Sequence, residues 1–104
     1  LLNPLEGLAV IVGVLKAHIR MHGVMSLKEK RSIVKSLIGR LKSRFNVSLA
    51  EVNHQDNRNY AVIAMAIVSN ETPFINQQLD AIIAFMHNDG RFYLADVERE
   101  TFGA

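Results

Sequence analysis

The period of apolar residues changes several times along this chain, and each change marks an element. From Leu8 to Met21 the residues alternate, with Ile11, Leu15, Ala17, Ile19 and Met21 on one face and Lys16, His18 and Arg20 on the other. This is the pattern of a half-buried strand. Toward its start Val10, Val12 and Val14 make the second face apolar as well, as in a strand covered on both sides. His22, Gly23 and Val24 form a turn, and Ser26 followed by Glu29 makes a capping box. A helix is predicted from there to about Arg44. At about 100° per residue, Leu27, Val34, Leu37, Ile38, Leu41 and Phe45 gather in one stripe.

Val47 to Val52 reads as a second strand whose inward phase stays open, because Val47 and Leu49 compete with Ala50 and Val52. Asn53 to Asn59 is wholly polar and reads as a hairpin loop. Tyr60 to Val68 is an unbroken apolar run rich in Val and Ile, as in a buried central strand. Thr72 is predicted to cap a second helix with Pro73 at its first position. Ile75, Leu79, Ile82, Ile83 and Met86 form its core stripe, and Asn88-Asp89-Gly90 ends it. A last strand runs from Phe92 to about Glu100, its acids marking a wet edge.

The order β-α-β-β-α-β is the ferredoxin-like split motif, an α+β fold with a four-stranded antiparallel sheet and two helices on one face. Right-handed crossovers put the first and third strands in the middle. One such domain is expected over residues 8–104, with residues 1–7 as an N-terminal extension.

Composition sharpens this picture. An apolar share of 49% in 104 residues is enough for one core. The chain has no cysteine, which excludes disulfides, thiolate metal sites and a cysteine nucleophile and fits a cytoplasmic protein. The apolar-leaning start has no basic n-region, carries Glu6 and is broken by Pro4, Gly7 and Gly13. It is therefore neither a signal peptide nor a membrane span.

Charge is unevenly placed. Residues 1–50 hold nine Lys/Arg against two acids, and residues 51–104 hold three against eight. Such a dipolar chain offers one surface to an anionic partner. On the first helix Lys28, Lys35 and Lys42 follow one flank beside Arg31, and Arg40 and Arg44 follow the other. Ser32, Ser36, Gly39 and Ser43 lie between them, opposite the core stripe. Short side chains there would let a phosphate backbone approach while the flanking cations replace its counterions. The competing reading is a plainly solvated helix face. The aromatic positions of an RRM sheet and the G-x-x-G loop of a KH domain are missing, so any binding is expected through backbone charge and shape.

Other constellations are thinner. His18, His22, His54 and His87 have no recognised ligand spacing, so no metal is expected and no cofactor is called for. The loop residues His54, Gln55 and Asp56 are the remaining site candidates. His54 and Asp56 would suit an oriented base with Ser48 or Ser69 as nucleophile, but nothing in the pattern joins them, and no enzyme activity is expected. The outward residues of the first and third strands are apolar, which calls for a cover. A homodimer joined sheet to sheet is the expected cover, with residues 1–8 folded over the patch as the alternative.

The strings Ser-Leu-Lys-Glu-Lys-Arg at 26–31, Val-Lys-Ser-Leu at 34–37, Arg-Phe-Asn-Val-Ser at 44–48, Ala-Glu-Val-Asn-His-Gln-Asp at 50–56 and Val-Ser-Asn at 68–70 resemble the YlxP-like family of uncharacterised bacterial proteins. Asn53 departs from that pattern, which has an acidic residue before His-Gln-Asp. The resemblance implies the ferredoxin-like fold and a gene neighbourhood of transcription and ribosome assembly factors. It carries no catalytic residues. The function expected is thus a non-enzymatic accessory protein associated with RNA or a ribosomal particle through the basic first helix. The alternative is a regulatory or protein-interaction module binding a small ligand or partner through its sheet or hairpin loop.

Overall fold

The structure is a computed structural model that describes residues 9–104. Its elements are β1 (Ile11–Arg20), α1 (Leu27–Arg44), β2 (Ser48–Val52), β3 (Tyr60–Ser69), α2 (Thr72–His87) and β4 (Tyr93–Gly103). The strands form one sheet in the order β2-β3-β1-β4, and every neighbouring pair is antiparallel. The fold is ferredoxin-like, as the element order implies. The proposed extension and any cover it provides lie outside the described residues.

Register brings the apolar phases together. Leu15 pairs with Met65, Ala17 with Ile63 and Ile19 with Ala61, so the two central strands present one continuous buried face. Val34, Leu37 and Leu41 of α1 and Ile75, Leu79, Ile82 and Met86 of α2 close the same core. Each fully buried Leu or Ile contributes about 1.5–3 kcal/mol. Gly13 sits on this face where α2 crosses: a Cβ added there would come within 2.3 Å of Ile75 Cγ2. The helix rides closer to β1 than any side chain permits.

The phase of β2, open in the sequence, is fixed by packing, and two boundaries differ from the sequence reading. Val47 and Leu49 are the β2-side residues that pack on the core, which leaves Ala50 exposed. Glu51 shares their phase, and its partner is described below. At α2 the capping residue is Glu71 rather than Thr72, because the Ile75 N–H donates to the Glu71 carbonyl at 3.3 Å. Pro73 still falls in the first turn, where its missing N–H costs nothing. Finally, β4 begins after buried Phe92 and runs past Glu100 to Gly103. The start of β1 offers unpaired backbone there: Val12 pairs with Phe102, Ile11 with Gly103, and the Ala104 N–H donates to Val10 at 2.8 Å.

Among the described residues no helix covers the other face of the sheet. At one end Val68, Val12 and Phe102 share a rung across β3, β1 and β4, and Val10, Val68 and Phe102 are exposed. The other end is polar. Among the described residues no helix is long and apolar enough to cross a membrane.

Candidate nucleic-acid interface

The first helix is fixed at both ends by its own sequence. Ser26 is the cap, in extended backbone, and its Oγ accepts the Glu29 N–H at 3.1 Å. The Glu29 carboxylate reaches back to the Met25 N–H at 3.0 Å, one residue before the usual partner of a capping box. At the other end Lys42 and Arg44 occupy the last turn, where cations complement the exposed carbonyls.

All six candidate cations, Lys28, Arg31, Lys35, Arg40, Lys42 and Arg44, are exposed on the outside of α1. The two flanks differ in what holds them. Lys28, Arg31, Lys35 and Lys42 have no acid partner among the described residues. Arg40 and Arg44 instead lie against α2, each guanidinium 5.0 Å from the centre of the Phe85 ring. Arg40 also donates to Asp89 Oδ2 at 3.0 Å. Between the flanks Ser32, Ser36, Gly39 and Ser43 are all exposed. A Cβ at Gly39 would meet nothing within 4 Å, so packing gives no reason for glycine in mid-helix.

Asp89 is the node between the second flank and the α2–β4 turn. Its buried carboxylate accepts from Arg91 Nη2 at 2.7 Å, Arg91 Nε at 3.0 Å and the Arg91 N–H at 2.9 Å. These bonds, with the Arg40 charge nearby, hold its carboxyl below the usual aspartate range, and they raise the Arg91 guanidinium in turn. Arg91 also donates to Ser36 Oγ at 3.0 Å. It therefore joins the small-residue track of α1, a role that nothing in its sequence position signals.

Lys30 belongs to the same helix and not to this surface. It is fully buried. Its Nζ donates to Glu51 Oε2 at 2.5 Å and to the carbonyls of His54 at 3.1 Å and Gln55 at 3.2 Å. An ammonium has three N–H donors, and each has an acceptor here. The helical wheel carries the signal for this, because Lys30 falls between Leu37 and Leu41 inside the apolar stripe.

The loop candidates are thus tied to the start of α1 by their backbone. Asn53 and His54 both take left-handed conformations, with φ of 54° and 52°. The His54 ring packs edge-on to Tyr60, with centroids 4.9 Å apart, and the Gln55 amide makes a long bond to the Glu51 carbonyl at 3.4 Å. Asp56 has no ion pair among the described residues. Ser48 lies on the open face of the sheet and Ser69 at the end of β3 farthest from the loop. The structure does not bring Ser48 or Ser69 to His54 and Asp56.

Residues 12–99 match a family described as "Protein of unknown function (DUF503)". The chain belongs to this DUF503 family. Within likeness by sequence, "Uncharacterized protein YlxP" of Bacillus subtilis (strain 168) is 29% identical over 76 residues, covering 73% of this chain and 83% of that protein. By shape the chain resembles "De novo designed protein Foldit4" with a TM-score of 0.53 at 15% identity, covering 89% of this chain and 96% of that one. It also matches the crystal structure of a dimeric ferredoxin-like protein of unknown function from Thermobifida fusca YX with a TM-score of 0.48 at 15% identity, covering 98% and 97%. The Foldit4 likeness is one of fold alone.

Every candidate cation and loop residue lies inside the DUF503 match. So do the groups that sequence reasoning missed. On the open face His18 bridges two strands: its Nδ1 is 2.5 Å from the Tyr60 hydroxyl and its Nε2 is 2.7 Å from Glu98 Oε2. The His18 bond, with Lys16 nearby, holds the Glu98 carboxyl below its ordinary range. At the same end His22 stacks on Tyr93. No group of three His, Asp or Glu among the described residues of this DUF503 protein converges to hold a metal ion.

Proposed function

We propose that this protein is a non-enzymatic accessory factor that associates with structured RNA or a ribosomal particle through the outer surface of α1. The observation that carries this reading is the row of Lys28, Arg31, Lys35 and Lys42, which has no acid partner among the described residues. It borders a track of small residues whose Gly39 has open space around it. Cations without partners release phosphate counterions at little cost, whereas paired ones must first give up a carboxylate. Arg40 and Arg44 supply the opposite wall.

Binding to a labelled RNA hairpin is expected to weaken steeply as salt rises. Changing Lys28→Glu, Lys35→Glu and Lys42→Glu together is expected to lower affinity by more than ten-fold and to flatten the salt dependence by about two to three in log–log slope. Affinity that ignores both salt and these substitutions would favour the rival reading, a regulatory module whose sheet or loop binds a small ligand or partner. Co-sedimentation with ribosomal particles tests the context.

The rung of Val68, Val12 and Phe102 supports a second surface. We propose that this uncharged end of the open face pairs with a second copy of the chain, since a two-fold axis lets one patch serve both partners. Light scattering at micromolar concentration is expected to give a dimer that Val68→Lys dissociates. A monomer that persists without residues 1–7 rejects both covers.

A further inference from the structure

The polar end of the molecule holds an exposed aromatic pair. The rings of His22, in the turn after β1, and Tyr93, at the start of β4, stack with centroids 5.1 Å apart and planes 21° from parallel. Tyr93 is 45% exposed. Two hollows adjoin the pair and share both rings. One, of about 440 Å³, is lined by Arg20, Met21, His22, Gly23, Asn59 and Tyr93. The other, of about 320 Å³, adds Arg91 and Phe92.

Cations stand on both sides of the stack. Arg20 is exposed, lies 4.8 Å over the Tyr60 ring and has no acid partner among the described residues. Arg91 is held rigid by Asp89 and by Ser36 of α1. Because Arg40 and Arg91 share the one Asp89 carboxylate, that cluster keeps a net positive charge. The bond to Ser36 ties this end of the molecule to the small-residue track of α1. An exposed stack with cations beside it matches the chemistry of single-stranded nucleic acid, whose bases stack on rings while its phosphates meet guanidinium groups.

We infer that the His22–Tyr93 stack is a platform for one unpaired nucleobase of the bound RNA, with Arg20, which has no acid partner among the described residues, contacting a neighbouring phosphate. This rests on the RNA reading of α1 and deepens it. The helix follows a backbone, and the platform takes a base that leaves the helical segment. Stacking accepts any base, so no sequence preference is expected.

The test compares two labelled RNA hairpins, one blunt and one with a six-nucleotide uridine 3′ overhang, by fluorescence anisotropy at fixed salt. The wild-type chain is expected to bind the overhang form more tightly by about five-fold or more. Tyr93→Leu is expected to erase that preference while leaving blunt-hairpin affinity and the salt slope unchanged, and Tyr93→Phe to keep it. Circular dichroism confirms that the variants fold. Equal binding of the two RNAs by the wild-type chain overturns the platform alone, as does a preference that survives Tyr93→Leu. Failure to bind either RNA at low salt overturns the platform and the α1 reading together.

Discussion

Two sides of the first turns of α1 carry the same side-chain chemistry and use it in opposite ways. Lys28 and Arg31 point outward and are exposed; Lys30, between them in sequence, is 0% exposed. A cation taken out of water costs several kcal/mol unless its partners are complete. The inner side meets that demand with Glu51 and two loop carbonyls. The outer side has no such demand, since water already solvates each charge. A count of basic residues on a helix therefore overstates the surface available to a ligand, and angular position separates the structural cation from the accessible ones.

Substitutions sharpen this contrast in order of expected effect. Lys30→Met should cost about 3–5 kcal/mol, because it strands a largely buried Glu51 carboxylate. In urea the midpoint should fall with little change in slope. Adding Glu51→Leu should recover most of that loss; an unchanged midpoint in the single variant would break the contrast. Asp89→Asn comes next, at about 2 kcal/mol for its charged hydrogen bonds. The folded-state carboxyl of Asp89 is depressed, so its stabilisation is fully present above the ordinary aspartate value of about 3.9. It is lost as pH falls through the lower folded value. The gap between wild type and Asp89→Asn should hold from pH 7 to about 5, begin to narrow near pH 4 and close only below the depressed folded value.

On the outer side the effects become small or change sign. Gly39→Ala should stabilise by about 0.5–1 kcal/mol, since an exposed mid-helix glycine gains from a methyl group that meets nothing. Thermal unfolding at neutral pH measures this. Lys28→Ala, Lys35→Ala and Lys42→Ala should each move stability by no more than about 0.5 kcal/mol. A larger loss from any of them would mean that the row supports the fold rather than a ligand.

Much of the architecture was legible because periodicity is a local property. The alternation in β1 and the stripes on both helices depend on residues a few positions apart, and they gave the element order and hence the topology. The phase of β2 was not legible from that strand. Glu51 faces inward only because Lys30 waits beneath α1, and a bare count of basic residues hides Lys30 although its wheel position lies in the apolar stripe. Likewise, β4 continues to Gly103 because β1 has backbone groups to pair there, which the acidic run before it hides. The six cations were readable as exposed, but the separation of free from tethered ones needed Phe85 and Asp89 in place. The His18–Tyr60–Glu98 bridge and the His22–Tyr93 stack join positions far apart in the chain, where no spacing rule reaches.

The strand order also determines when this sheet can be completed. Among the described strands only β2 and β3 are neighbours both in sequence and in space; β1, made before the other three, pairs on one side with β3 and on the other with β4. Closing such long loops delays the reward of pairing, and folding slows as contacts become less local. The β2–β3 hairpin, with Lys30 drawing its loop onto the first turn of α1, is then the natural nucleus, and β4 docks late. Substitutions in the hairpin should slow refolding, whereas those in β4 should chiefly speed unfolding. During synthesis the β1 edge that β4 will cover stays open until β4 itself has left the ribosome, so this edge is where a nascent chain is most exposed to mispairing.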